Sequence, residues 1–174
     1  ARMKEKNIVV EILRKLMAEQ IAIYKRTNVV QATTFSEKIT LLMNTYYNGL
    51  ITNEEVIKEL LKTAEEINAL RKEGEKLGLS EEELAFYDAL TKPEHIKDFY
   101  ENETLIALTR ELTEMLRKNR TIDWQKKETA RAGMRKMVKR LLKKYKYPPE
   151  KCEDAVETVM SQCELWTDNT ELGR

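Results

Sequence analysis

Two short segments of this chain begin a helix in the same way, and each is followed by apolar residues at helical spacing. Thr52-Asn53-Glu54-Glu55 and Ser80-Glu81-Glu82-Glu83 both read S/T-x-x-E. In that pattern the hydroxyl and the carboxylate each accept a free backbone N–H at a helix start. After the first come Val56, Leu60, Ala64 and Ile67; after the second, Leu84, Tyr87 and Leu90. That rhythm of three and four places one apolar face along each helix. Only 5 Gly and 3 Pro are spread over 174 residues, with 35% charged residues. Strand-rich folds need many turns, so this composition favours long, solvated helices.

The same periodicity runs through the rest of the chain. Residues 5–25 carry Ile8, Ile12, Leu16 and Ile23 with Val9, Leu13, Met17 and Tyr24 beside them, and the Thr-rich QATT stretch is expected to end this helix. Phe35, Ile39, Leu42, Met43 and Tyr46 line the next, which closes at Asn48-Gly49, a typical helix C-terminus. Leu105, Leu108, Leu112 and Met115 mark another. Thr121 or Asp123 is placed to cap a basic helix whose apolar positions are Trp124, Met134, Met137, Val138, Leu141, Leu142 and Tyr145, and Pro148-Pro149 stops it. Gly133 within it is expected to mark close approach of another helix. Ala155, Val156, Val159, Met160 and Cys163 face one side of the last helix. No alternating strand pattern stands out. The expected fold is all-α, a single irregular bundle of about seven helices, with residues 1–30 as an N-terminal helix or arm, 34–165 as core and 166–174 as a flexible tail. Phe86, Tyr87, Trp124, Leu141 and Leu142 are expected in the core.

Several chemistries lack their residues. There is no G-x-x-x-x-G-K-[ST] or G-x-G-x-x-G phosphate loop and no G-x-S-x-G elbow. The one histidine, His95, cannot build a histidine zinc site, and the two cysteines complete no C-x-x-C pair. Cys152 and Cys163, eleven residues apart on one helix, are about 16 Å apart along its axis, too far for a bridge. They read as reduced thiols of a cytoplasmic protein. Glu81, Glu82 and Glu83 point in different directions and suit a helix N-terminus better than a metal site. We expect no catalytic, cofactor or metal residues in this chain, and no membrane span.

Charge is distributed unevenly. The chain carries a net +1. From Asn48 to Met115 there are 17 acids and 8 bases; from Lys126 to Lys146 there are 10 bases and 1 acid, Glu128. On a helix, Arg131, Arg135, Lys139 and Lys146 follow one flank, and Lys136, Arg140, Lys143 and Lys144 cover much of the rest. With Lys127, these are the candidate contact residues. Three readings stand together: a solvated face, docking on the chain's own acidic helices, or contact with DNA phosphates or an acidic partner.

Two blocks carry a family resemblance. LGLSEEELAFYDAL, from Leu77 to Leu90, and TIDWQKKETARAGMRKMVKRLLKKYKYPP, from Thr121 to Pro149, resemble the C-terminal helical domain of the type I restriction enzyme R subunit. In the second block the resemblance rests on Ile122-Asp123-Trp124, Arg131-Ala132-Gly133-Met134-Arg135 and Tyr147-Pro148-Pro149. The segment from Thr33, TTFSEKITLLMNTYYNGLITNEEVIKELLKTAEE, is similar to the family's upstream hairpin. The resemblance implies a parent subunit with an N-terminal PD-(D/E)xK nuclease and two RecA-like motor domains that use ATP and Mg²⁺ to translocate DNA. It implies that this domain docks the subunit onto the methyltransferase and specificity subunits. The alternative expectation is a helical module that binds the DNA backbone without sequence preference.

Overall fold

A computed structural model of the protein describes residues 2–120 and 124–172, with side chains placed for 7–120 and 124–168. The described residues form eight α-helices and one short 3-10 turn, with no strand, so the fold is all-α. The helices are α1 (Arg2–Thr27), α2 (Val29–Tyr47), α3 (Asn53–Lys76), α4 (Glu81–Thr91), α5 (Ile96–Phe99), α6 (Asn102–Asn119), α7 (Glu128–Lys144) and α8 (Pro149–Leu172); the 3-10 turn, Trp124–Lys126, precedes α7.

Local chemistry sets the boundaries. Both capping boxes form: the Thr52 and Ser80 hydroxyls accept from the Glu55 and Glu83 amides, and those glutamates accept from the Thr52 and Ser80 amides. Gly49 and Gly78 have φ of +73° and +71°, the left-handed backbone a helix end commonly requires. Gly74 has a different role: a Cβ there would lie 2.6 Å from Leu84 Cδ2, so its missing side chain lets α3 approach α4. Pro149 is the first residue of α8, where its fixed φ and missing N–H cost nothing. Thr121 and Asp123, read as caps for the basic helix, lie outside the described residues; the N-cap of α7 is Lys127, without a side-chain bond.

Two hydrophobic clusters result. Val10, Met17 and Ile21 of α1 pack with Phe35, Ile39 and Met43 of α2 and with Val56, Leu60 and Ile67 of α3. The larger cluster joins Phe86 and Leu90 of α4, Leu105, Leu108, Leu112 and Leu116 of α6, Trp124 of the 3-10 turn, Met134, Val138 and Leu142 of α7, and Val156, Val159, Met160 and Cys163 of α8. Phe86, Tyr87, Trp124, Leu141 and Leu142 are all buried, as expected. Tyr147 is buried too, and its hydroxyl donates to the Leu90 carbonyl at 2.6 Å.

The clusters meet at the break between α1 and α2, which falls at Asn28 and not at QATT. Gln31, Ala32 and the threonines lie inside α2, where Thr34 Oγ1 donates to the Val30 carbonyl. The Asn28 side chain caps α2 by accepting from the Gln31 amide. Asn28 Nδ2 and Gln31 Nε2 both donate to Asp88 Oδ2, each at 2.8 Å. From α8, Gln162 Oε1 accepts from the Val29 amide and Gln162 Nε2 donates to the Thr27 carbonyl, both at 2.8 Å. Every helix end leaves free donors or acceptors, and here one glutamine satisfies one of each. Burial pushes the Asp88 carboxyl above its ordinary value, against the pull of Asn28, Gln31 and Lys97.

Two expectations change. The stripe read on the first helix is not its buried face: Val10, Met17 and Ile21 are buried, and Ile8, Ile12, Leu16 and Ile23 are exposed. The tail read from 166 continues as helix to Leu172, and Thr167 is buried with its hydroxyl accepting from Trp124 Nε1 at 3.0 Å.

Candidate basic interface on helix α7

Helix α7 divides its basic residues between two faces. Arg131, Arg135 and Lys139 recur every four residues and meet Glu164, Glu157 and Glu153 of α8. The order is antiparallel, with Arg131–Glu164 at 3.0 Å and Lys139–Glu153 at 2.9 Å. Lys144 reaches Glu111 of α6 at 2.8 Å, and the Tyr145 hydroxyl donates to the same carboxylate. Those two bonds, Lys144 first, hold the Glu111 carboxyl below its usual range. Four of the eight candidate contact residues therefore meet the chain's own acids. Pairs this exposed contribute about 0–1 kcal/mol each; their main effect is to neutralise one side of α7 and fix its alignment with α8.

The other four have no ion-pair partner among the described residues. Lys136, Arg140 and Lys143 stand exposed at spacings of four and three on the outward face, with Lys127 exposed at the N-cap. The row spans about 10 Å along the helix. Thr129, Ala132 and Gly133, all exposed, continue the same face toward the N-terminus. A Cβ on Gly133 would meet nothing within 4 Å, so the expected close approach of a neighbouring helix is not its reason within this chain. Gly133→Ala should raise stability by about 1 kcal/mol, a melting-temperature rise of roughly 2–4 °C for a chain of this size, read by thermal denaturation.

The remaining candidate chemistry separates in space. His95, with left-handed φ of 67°, is exposed and lies 3.5 Å from Asp98. Cys163 is buried in the core, its thiol pushed up to about 12 by desolvation. Cys152 is half-buried, its thiol also raised, first by desolvation. Of the three glutamates opening α4, Glu83 completes the capping box and Glu82 accepts from Arg117 at 3.0 Å and pairs with Arg120 at 3.5 Å. Among the described residues no group of three or more His, Cys, Asp or Glu side chains is placed to hold a metal. No described helix is long and apolar enough to cross a membrane.

The described residues define an all-α domain whose basic helix pairs one flank internally and presents a second row of cations outward. Comparison with known proteins gives its family. Residues 1–169 match the model of a family described as type I restriction enzyme HindI endonuclease subunit-like, C-terminal. The chain is 42% identical over 159 residues to the type I restriction enzyme HindI endonuclease subunit of Haemophilus influenzae, covering 91% of this chain and 15% of that protein. It is 31% identical over 145 residues to a Methanocaldococcus jannaschii protein predicted to be the type I restriction enzyme MjaIXP endonuclease subunit, covering 83% of this chain and 14% of the relative. The chain belongs to this C-terminal family of type I restriction endonuclease subunits, and it spans about a seventh of the length of these relatives. No solved structure matches it.

Proposed function

We propose that this domain docks a type I restriction R subunit onto the methyltransferase–specificity core, and that the outward row Lys136, Arg140 and Lys143, with Lys127, makes the contact. One observation carries the reading: these cations have no ion-pair partner among the described residues, while the other basic residues of α7 pair with Glu153, Glu157, Glu164 and Glu111. Clustered cations with no local acids attract a complementary acidic surface and orient its approach. Nuclease, motor, ATP and Mg²⁺ functions belong, in this reading, to the rest of the subunit; the sequence here has no phosphate loop that would hold a nucleotide.

The same row favours a second reading, contact with the DNA backbone, because phosphates also release counterions to clustered lysine and arginine. The test is a binding titration of the chain against purified methyltransferase–specificity core, with duplex DNA in parallel at two salt concentrations. The expected result is affinity for the core without DNA, weakened on the order of a hundredfold by Lys136→Glu, Arg140→Glu and Lys143→Glu together, at about 1 kcal/mol per lost contact. Circular dichroism and melting should be unchanged in that variant, since the three side chains have no ion-pair partner among the described residues. Salt-sensitive DNA binding with no affinity for the core overturns docking in favour of DNA. Silence in both assays leaves the row as a solvated face.

A further inference from the structure

Helix α1 is apolar on two nearly opposed faces, and its own chain covers one of them. Val10, Met17 and Ile21 are 0%, 4% and 6% exposed against α2 and α3. Ile8, Val9, Ile12, Leu16 and Ile23 are 55%, 43%, 53%, 52% and 53% exposed. At 100° per residue the centres of the two sets lie roughly 150° apart around the axis, and the exposed set runs about 22 Å along it. Single exposed aliphatics are ordinary. Five aligned on one helix face are not, and a helix apolar on both sides is one packed on both sides.

We infer that this outer stripe of α1 seats against an amphipathic helix, with an uncharged aliphatic face, from the part of the endonuclease subunit outside these 174 residues. Three observations select that occupant. First, the stripe offers on the order of 500 Å², short of the roughly 800 Å² per partner buried in a freestanding complex. A tethered segment needs less, because its effective concentration is set by the chain linking it. Second, in the relatives matched, some 85% of the length lies outside the region shared with this chain, and the family is a C-terminal one. Third, the border of the stripe alternates in sign along Glu11, Lys15, Glu19 and Arg26. These four balance, so that edge has no single-sign column that would call for a charged partner face. The stripe lies on α1 and is independent of the basic row on α7.

The test places a reporter thiol on the stripe, Leu16→Cys with Cys152→Ser, and reads labelling at residue 16 by peptide mass spectrometry, both in the 174-residue chain and in the complete endonuclease subunit free of its core. Cys163 is buried and stays silent to a maleimide. The expected result is fast labelling of the chain while sedimentation shows a monomer, and labelling at least about tenfold slower in the complete subunit, as protected sites react only on opening. Ile12→Glu with Leu16→Glu should leave the chain folded and monomeric while restoring fast proteolysis beside the domain in the complete subunit. Equal labelling in both contexts overturns the proposal. So does slow labelling of a chain that sediments as a dimer, which would assign the stripe to a second copy.

Discussion

Trp124→Ala is expected to destabilise the chain by about 3–5 kcal/mol, the range for removing a large aromatic from a closed core. Trp124 is fully buried, within the cluster that joins α4, α6, α7 and α8. Its indole Nε1 donates to Thr167 Oγ1, whose own hydroxyl donates to the Cys163 carbonyl. The variant loses the packing of a ring pinned by α8 and exposes the turn from which α7 starts. Trp124→Phe keeps much of the volume and loses the hydrogen bond, so its cost should be smaller, on the order of 1–2 kcal/mol. Urea denaturation of both variants separates packing from bonding. Equal losses would mean that the bond, and not the ring volume, dominates.

The second large effect is expected at Asp88. Asp88→Ala leaves the side-chain amides of buried Asn28 and Gln31 without their shared acceptor. Unpaired buried donors cost about 1–3 kcal/mol each, so a loss of about 3 kcal/mol is expected at neutral pH. Asp88→Asn keeps an oxygen to accept both amides and removes the buried charge, so it should stay within about 1 kcal/mol of the parent. The sign with pH follows from the raised carboxyl. The folded state holds the proton more tightly than the unfolded state, whose ordinary value is 3.8. Stability from this group is greatest below 3.8 and declines as pH rises from there through the folded value. The parent should show that decline in chemical denaturation at several pH values, and Asp88→Asn should lack it. A parent curve rising with pH through that window, where Asp88→Asn stays flat, would contradict the assignment.

Much of the fold was legible because local signals agreed with tertiary packing. The two capping boxes, Gly49, Gly78 and the apolar rhythm of α6, α7 and α8 each have one physical meaning, and the structure uses it. The α1–α2 break was misplaced because QATT looks like an interruption by composition, whereas mid-helix threonines can bond back to the preceding turn, as Thr34 does. The better signal was Asn28 with Gln31 three residues later, an N-cap pattern. The outward stripe of α1 was not distinguishable from the inward one, because hydrophobic periodicity on so broad an apolar arc does not say which side meets α2 and α3.

The division of the basic helix was only partly legible. Sequence spacing separates Arg131, Arg135 and Lys139 from Lys136, Arg140 and Lys143. It does not tell which flank has partners, since those partners lie on other helices. One usable signal was missed. Glu153, Glu157 and Glu164 share a face of α8 by four- and seven-residue steps, as their cations share a face of α7 by steps of four. Matching the two faces would have assigned the paired flank and left the outward row as the candidate contact.

The position of Gln162 ties distant parts of the chain into one cooperative unit. A residue near the end of the chain supplies both missing hydrogen bonds at a helix break more than 130 residues earlier. The three-helix N-terminal cluster, though built from local contacts, cannot keep its first corner satisfied once α8 departs. Loss of the last helix is therefore expected to be felt at the first, with the two clusters melting in one transition whose calorimetric and van't Hoff enthalpies agree. Communication between the ends of the domain needs no moving part, only one side chain whose absence is felt at both.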